Sequence, residues 1–147
     1  MRDGCKTVLS QAGITPRVIT NNTPVVSTVV DSAAWEWVVA AIVTGAIADS
    51  DATFTVLLEA QQDGGGGIIP IPDANLVSQT DGVAPEVAAS FTFASDNNVR
   101  KIEILPVTGL PEYQLTITPA NNIGNAFIAM MWLLGAPMHG SVTQLPA

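Results

Sequence analysis

Apolar and polar residues alternate along several short stretches of this chain, and that spacing predicts β-strands. The clearest case is the stretch 53–60, in which Phe54, Val56 and Leu58 share one face. Residues 25–30 are rich in β-branched side chains, which also favour a strand. The same reasoning predicts strands at residues 90–94, 99–105, 113–118 and 126–134.

The stretch 34–47 is long and apolar enough to form either a buried helix or a strand. At a period of two, its residues divide into one face with Trp35, Trp37, Val39, Ala41 and Val43, and another with Glu36, Val38, Ala40 and Ile42. Gly45 would interrupt a helix interior at a cost of about 1 kcal/mol relative to alanine. We therefore predict a strand, which a turn at residues 49–51 joins to the strand at 53–60 as a hairpin.

Turn signals separate the predicted strands and indicate the fold class. Four glycines at residues 64–67 predict a loop, and Pro70 and Pro72 confine the next stretch to a sheet edge or to no sheet. About seven or eight strands predict an all-β fold, an antiparallel β-sandwich of jelly-roll-like type. We expect one such domain over residues 24–136, preceded by an N-terminal arm (1–23) and followed by a C-terminal tail (137–147).

The composition indicates that neighbouring protein covers part of the surface. Of the residues, 48% are hydrophobic and only 12% are charged, which is unusual for a fully solvated monomer. The net charge of −8 argues against binding to a phosphate backbone or to an anionic membrane surface. The longest apolar stretches, 37–48 and 123–138, are too short to span a bilayer. We therefore expect no nucleic-acid partner and no membrane partner.

Few residues in the sequence could perform catalysis or hold a metal. His139 is the only histidine and Cys5 the only cysteine, whereas zinc needs about three or four such ligands. Two alternatives rest on acids, namely calcium held by Asp49, Asp51 and Asp63, and a glycosidase pair drawn from Glu36, Glu59 and Glu103. We assign no catalytic, cofactor-binding or metal-binding residue, and we expect neither a cofactor nor enzyme activity.

Tryptophans and the C-terminal tail supply the candidate partner-binding residues, which are Trp35, Trp37, Trp132, Met138 and His139. Trp35 and Trp37 are predicted to share a strand face, where they either belong to the core or form a stacking platform for glycans. Trp132 lies in an almost wholly apolar strand. Such a strand is either central in the sandwich or covered by a neighbouring subunit.

Five short motifs follow one another along most of the chain, between about residues 24 and 140. They are Asp-Ser-Ala-Ala-Trp (31–35), Asp-Ser-Asp-Ala-Thr-Phe (49–54), Leu-Glu-Ala-Gln-Gln-Asp-Gly (58–64), Gly-Leu-Pro-Glu-Tyr through Thr-Pro (109–119) and Leu-Gly-Ala-Pro-Met-His (134–139). In this order they resemble the small structural proteins encoded in tailed-bacteriophage head modules. Gln114 stands where that family commonly has arginine, and the four-glycine loop is unusual for it.

The resemblance implies a β-sandwich that binds the outside of a phage capsid as a decoration or cement protein. Its implied partner is the major capsid protein, with homo-oligomeric contacts on the capsid lattice. The implied location is the capsid exterior of the virion, after assembly in the host cytoplasm. The alternative function is a carbohydrate-binding module or a tail-associated adhesin that displays Trp35 and Trp37 to glycans.

Overall fold

The computed structural model describes residues 8–137, which are built almost wholly of strands. The strands are β1 (Val8–Ile19), β2 (Val25–Val26), β3 (Val30–Asp31), β4 (Trp35–Ile47), β5 (Thr53–Gln61), β6 (Ile69–Pro70), β7 (Leu76–Ser78), β8 (Phe91–Thr92), β9 (Val99–Ile104), β10 (Glu112–Ala120) and β11 (Ala126–Pro137). A short helix, α1 (Pro85–Ala89), and two 3-10 turns, Asp73–Asn75 and Phe93–Ser95, lie between them.

The strands form two antiparallel sheets, so the predicted antiparallel β-sandwich is confirmed. One sheet has five strands in the order β1-β11-β4-β9-β7. The other has β2, β10, β5 and β6 in that order, with β3 also paired to β10 and β8 also paired to β5. More strands are present than the seven or eight predicted, because several are pairs of residues too short to produce a pattern.

The core lies between the two sheets and accounts for the alternation in the sequence. Ile42 of β4 and Leu58 of β5 are both fully buried in it, and each has an exposed or half-buried neighbour along its strand. Trp132 of β11 is the largest fully buried side chain. Its Nε1–H donates a hydrogen bond to the Thr28 carbonyl at 3.0 Å, so the buried indole keeps a polar partner.

Residues 8–19 form a strand of the five-stranded sheet, and the prediction of an arm over residues 1–23 is corrected for them. β1 pairs with β11 along its length, with register shifts between Ala12 and Ile14 and between Ile14 and Arg17. Gly13 and Pro16 lie at these two irregularities. Because each irregularity interrupts the period of two, the sequence of β1 does not show the alternation of a regular strand.

β4 and β5 follow one another in the chain but belong to different sheets, so the predicted hairpin is wrong. β4 pairs with β11 and β9, whereas β5 pairs with β10. The turn itself is present, because the Asp51 N–H donates to Asp49 Oδ1 at 3.0 Å. A turn that crosses between sheets uses the same residue types as a hairpin turn, and local sequence does not distinguish the two.

Helix α1 covers part of one edge of β5, between the segments of β5 that pair with β8 and with β6. Here the Val56 N–H donates to Ser90 Oγ at 3.0 Å, and the Leu58 N–H donates to Glu86 Oε1 at 2.5 Å. The side chains of Ser90 and Glu86 thus accept hydrogen bonds from two N–H groups on the edge of β5 that no strand covers.

The proline-rich stretch at residues 68–72 lies where the sequence predicted it. Its strand, β6, stands at the end of the second sheet, so the prediction of an edge position is confirmed. The strand predicted at residues 90–94 is limited to β8, because Phe93–Ser95 form a 3-10 turn. Within residues 8–137, no helix has the length and hydropathy needed to cross a membrane.

Candidate interaction face

The outward face of the five-stranded sheet carries large apolar side chains that no other part of the described chain covers. The apolar face, as we name it, has seven exposed members, Val8, Val18, Val43, Val77, Val99, Phe127 and Met131. They come from all five strands of this sheet. The strand pairing sets Val18 beside Phe127 and Val43 beside Val99. Phe127 is 47% exposed and Met131 is 42% exposed, which is unusual for side chains of this size.

Half-buried apolar residues fill the space between these exposed members. Val39 of β4 pairs with Leu133 of β11, and Ala129 of β11 pairs with Val43. Two shallow depressions of about 190 and 370 Å³ lie on this face. Both are lined by Pro16, Val43 and Ala129, so the β1 irregularity shapes the surface as well as the strand.

The outward face of the other sheet is mainly polar, with Val26 and the half-buried Leu57 beside Thr116 as its apolar members, so the two sides of the sandwich differ chemically. Its paired strands present Thr55 beside Thr118, and Gln114 beside Glu59. Threonines and charged or amide side chains are the usual composition of a sheet face that meets water. Within residues 8–137, the five-stranded sheet therefore has the more extensive exposed apolar face.

Charge on the apolar face is sparse, because β9 carries one residue of each sign and Arg17 of β1 lines the larger depression. Lys101 pairs with Ala41, and Glu103 pairs with Val39, so both point to the outward side. They are two residues apart on the same strand and on the same side. This face is therefore nearly neutral, although the whole chain has a net charge of −8.

The predicted partner-binding tryptophans occupy three different environments. Trp35 is 8% exposed and belongs to the core cluster, and Trp132 is also in the core. Trp37 is half-buried on the apolar face, where its indole lies directly over Gly135. The structure does not bring Trp35 and Trp37 together as an exposed pair. Met138 and His139, the other two candidates, lie outside the described residues.

The acids considered for calcium binding and for glycoside hydrolysis do not converge. Asp49 accepts hydrogen bonds from the N–H groups of Ile123 and Asp51, which hold the pKa of its carboxyl below the usual value. Asp63 lines a different cavity, beside Tyr113. In the part of the chain that the structure describes, no group of three potential metal ligands occurs. Glu59 and Glu103 lie on opposite outer faces of the sandwich.

Sequence reasoning did not select Phe127 or Met131, which are the largest exposed members of the apolar face. The available signal was the near-continuous apolar run of β11, which indicates a strand buried on both sides. One side of β11 is buried by the second sheet. The other side is open, and only the fold shows which side that is.

Comparisons with known proteins place the chain in no family. No protein-family model and no curated protein matches it. Among solved structures, it is similar to a family 115 4-O-methyl-α-glucuronidase with specificity for decorated arabinogalactans, at 19% identity and a TM-score of 0.39. That match covers 90% of this chain but only 17% of the glucuronidase, so the chain spans a small part of that protein's length.

A second similar structure is the family 11 carbohydrate-binding module from Clostridium thermocellum, solved with a β-1,3-1,4-mixed-linked tetrasaccharide. The match has 12% identity and a TM-score of 0.34, and it covers 88% of each chain. Neither likeness carries an argument about the function of this chain.

Proposed function

We propose that this chain is a non-catalytic assembly protein whose apolar face is covered by protein in the assembled state. The observation that carries the proposal is the contrast between the two outer faces of the sandwich. One presents Phe127, Met131 and exposed valines, whereas the other presents threonines and amides. Exposed apolar area of this extent on one side of a domain is typical of a protein–protein contact.

At a finer level, we propose a decoration protein on the exterior of a tailed-phage capsid, with the major capsid protein as its partner. The order of turn motifs along residues 31–139 supports this assignment by resemblance. The physical argument is compatible with it. An interface of standard size, roughly 1,600 Å² in total, gives each copy a moderate stabilisation, and the capsid lattice repeats that stabilisation many times.

The test is cosedimentation of the purified protein with capsids that lack it, combined with capsid melting. We expect saturable binding at a fixed ratio to capsid subunits and a higher melting temperature of the loaded capsids. Absence of both binding and a melting shift would refute the capsid assignment.

The glycan-binding alternative predicts a different result in a parallel titration. A glycan that stacks on an indole would shift or quench tryptophan fluorescence. Of the two tryptophans proposed for such a platform, Trp35 is in the core and Trp37 is half-buried over Gly135. A fluorescence change with glycans, together with no binding to capsids, would favour the alternative.

A further inference from the structure

We propose that the apolar face packs against the same face of a second copy of this chain, so that the protein forms a two-fold symmetric dimer. This inference rests on the proposed function only in that protein covers the face. It adds the identity of that protein. The dimer would then meet other components of an assembly through surfaces outside the apolar face.

The extent of the face matches what a stable dimer requires. β1, β4 and β11 have 12 to 13 residues each, and β9 and β7 extend the sheet by two shorter strands. With strands spaced about 4.8 Å apart and rising about 3.3 Å per residue, the face covers roughly 700 Å². A standard interface buries about 800 Å² on each partner, so two such faces are sufficient.

The two charges on β9 indicate how a second copy would be oriented. Lys101 and Glu103 flank Ile102, which pairs with Ala40 near the middle of the sheet. A two-fold axis that lies between the sheets, perpendicular to the strands and level with Ile102, exchanges the positions of Lys101 and Glu103. Each copy then sets its Lys101 opposite Glu103 of the second copy, giving two symmetric ion pairs.

The same two-fold rotation also sets apolar side chains of the two copies opposite one another. On β11 it sets Met131 opposite Leu133 of the second copy, since these residues lie one step on either side of the Ala40 level. On β4 it sets the large Trp37 opposite the smaller Val43, which is equally far from that level. Face-to-face packing of two sheets about 10 Å apart is an ordinary arrangement for apolar faces.

Charge also favours a second copy over a strongly basic partner. A partner attracted by the acidity of this chain would be expected to meet a surface rich in acids. The apolar face instead carries Lys101 and Glu103, with Arg17 at its β1 edge, and so is not acidic. Such a face is complementary to itself.

The experiment measures the dimer dissociation constant by sedimentation velocity over a series of concentrations, using the full-length chain. Lys101→Glu sets like charges opposite one another in the dimer, and so does Glu103→Lys. We expect each single variant to weaken the dimer about tenfold. The double variant K101E/E103K restores opposite charges across the axis and should dimerise as the wild type does. An equimolar mixture of the two single variants should likewise recover dimers, as heterodimers.

A second pair of variants locates the contact independently of the ion pairs. Met131→Glu introduces a charge at the centre of the apolar face, where Met131 is already exposed, and should weaken the dimer about a hundredfold. Thr118→Glu makes a comparable change on the opposite outer face and should have no effect. Thermal melting of each variant confirms that it is folded before it is compared.

The possible outcomes separate this inference from the proposed function. Dimers that are lost in the single charge variants and regained in the double variant support both. A wild-type monomer that binds capsids and loses that binding in Met131→Glu overturns the dimer, but leaves the apolar face as a protein contact. A wild-type dimer that Met131→Glu leaves intact also overturns the inference, because another surface then forms the dimer. A monomer whose capsid binding is unchanged by Met131→Glu overturns both.

Discussion

Glu86 offers a specific test of how α1 protects the edge of β5. Its carboxylate accepts a hydrogen bond from the Leu58 N–H, at a point where no strand pairs with the edge of β5 that faces away from β10. Replacement by alanine removes that acceptor and leaves the N–H group without a protein partner. We expect the free energy of unfolding to fall by about 1–3 kcal/mol, the usual cost of an unsatisfied buried donor. Because alanine favours helix formation, the loss cannot come from the propensity of α1.

Glu86→Gln should behave differently, because the glutamine side-chain oxygen still accepts the Leu58 N–H. Burial raises the pKa of the Glu86 carboxyl, the Leu58 hydrogen bond lowers it, and the negative charges of Asp73 and Glu59 raise it further, with a net upward result. The ionised form is therefore disfavoured by folding. We expect Glu86→Gln to be at least as stable as the wild type at pH 7.

The sign of the pH dependence follows from the raised pKa. The contribution of Glu86 to stability is fully present below the unfolded-state pKa of 4.5 and is lost as the pH rises through the higher folded-state pKa. The difference between Glu86→Gln and the wild type should therefore shrink as the pH is lowered toward 4.5.

Urea unfolding, followed by tryptophan fluorescence at pH 7 and at acidic pH, measures these differences. Val87→Ala is the control, because Val87 is on the same helix and is 66% exposed. If Glu86→Gln lost as much stability at pH 7 as Glu86→Ala, the negative charge itself would be the stabilising element, and this reasoning would be refuted. An Ala variant as stable as the wild type would show that the Leu58 N–H does not depend on Glu86.

Three further substitutions test the core, the apolar face and a turn. Trp132→Phe removes the hydrogen bond to the Thr28 carbonyl and leaves a small void. We therefore expect the free energy of unfolding to fall by about 2–4 kcal/mol, with the slope of that free energy against urea concentration unchanged. Gly135→Ala places a methyl group against the indole of Trp37 and should displace it, at a cost of about 1–3 kcal/mol; an unchanged tryptophan emission spectrum would contradict this. Asp49→Ala removes the acceptor for Ile123 and Asp51, and because the Asp49 pKa is lowered in the folded state, the destabilisation should be present at neutral pH and should disappear as the pH falls through that lowered pKa, which thermal melting against pH would show.

The sequence predicts strands best where a strand is regular and one face is buried. β5 and β10 alternate without interruption, and each was located to within a few residues. β1 was not recognised, because its register shifts around Ile14 remove the alternation on which the prediction depends. Whether a strand can be predicted from the sequence therefore depends on how regular its backbone is, and not on how many apolar residues it contains.

The pairing of strands was harder to predict than their existence. The turn at residues 49–51 was recognised from its aspartates, but it joins strands of different sheets. Which sheet a strand enters depends on contacts with residues far along the chain. β4, for example, pairs with β11, and the paired residues lie 79 to 102 positions apart in the chain, from Ala126 with Ile47 to Pro137 with Trp35. Turn chemistry is local and carries no information on such contacts.

The apolar face shows the same division between local and distant information. In β4 and β11 both faces are apolar, so the sequence indicates two buried sides without saying what buries each. The fold buries one side against the second sheet and leaves Met131 and Phe127 on the other. The low charge content of the chain predicts that part of its surface is covered, and the apolar face is the surface that we propose for this.

In the proposed dimer, the distribution of charge would favour one orientation over the others. Among the residues that mark the apolar face, Glu103 is the only acid, whereas the chain as a whole has 13 acids and a net charge of −8. Approaches that bring other surfaces together therefore meet like-charge repulsion. Two apolar faces that meet avoid this repulsion, and the apolar side chains of both become buried. The acidity outside the face thus selects the contact that the apolar residues stabilise.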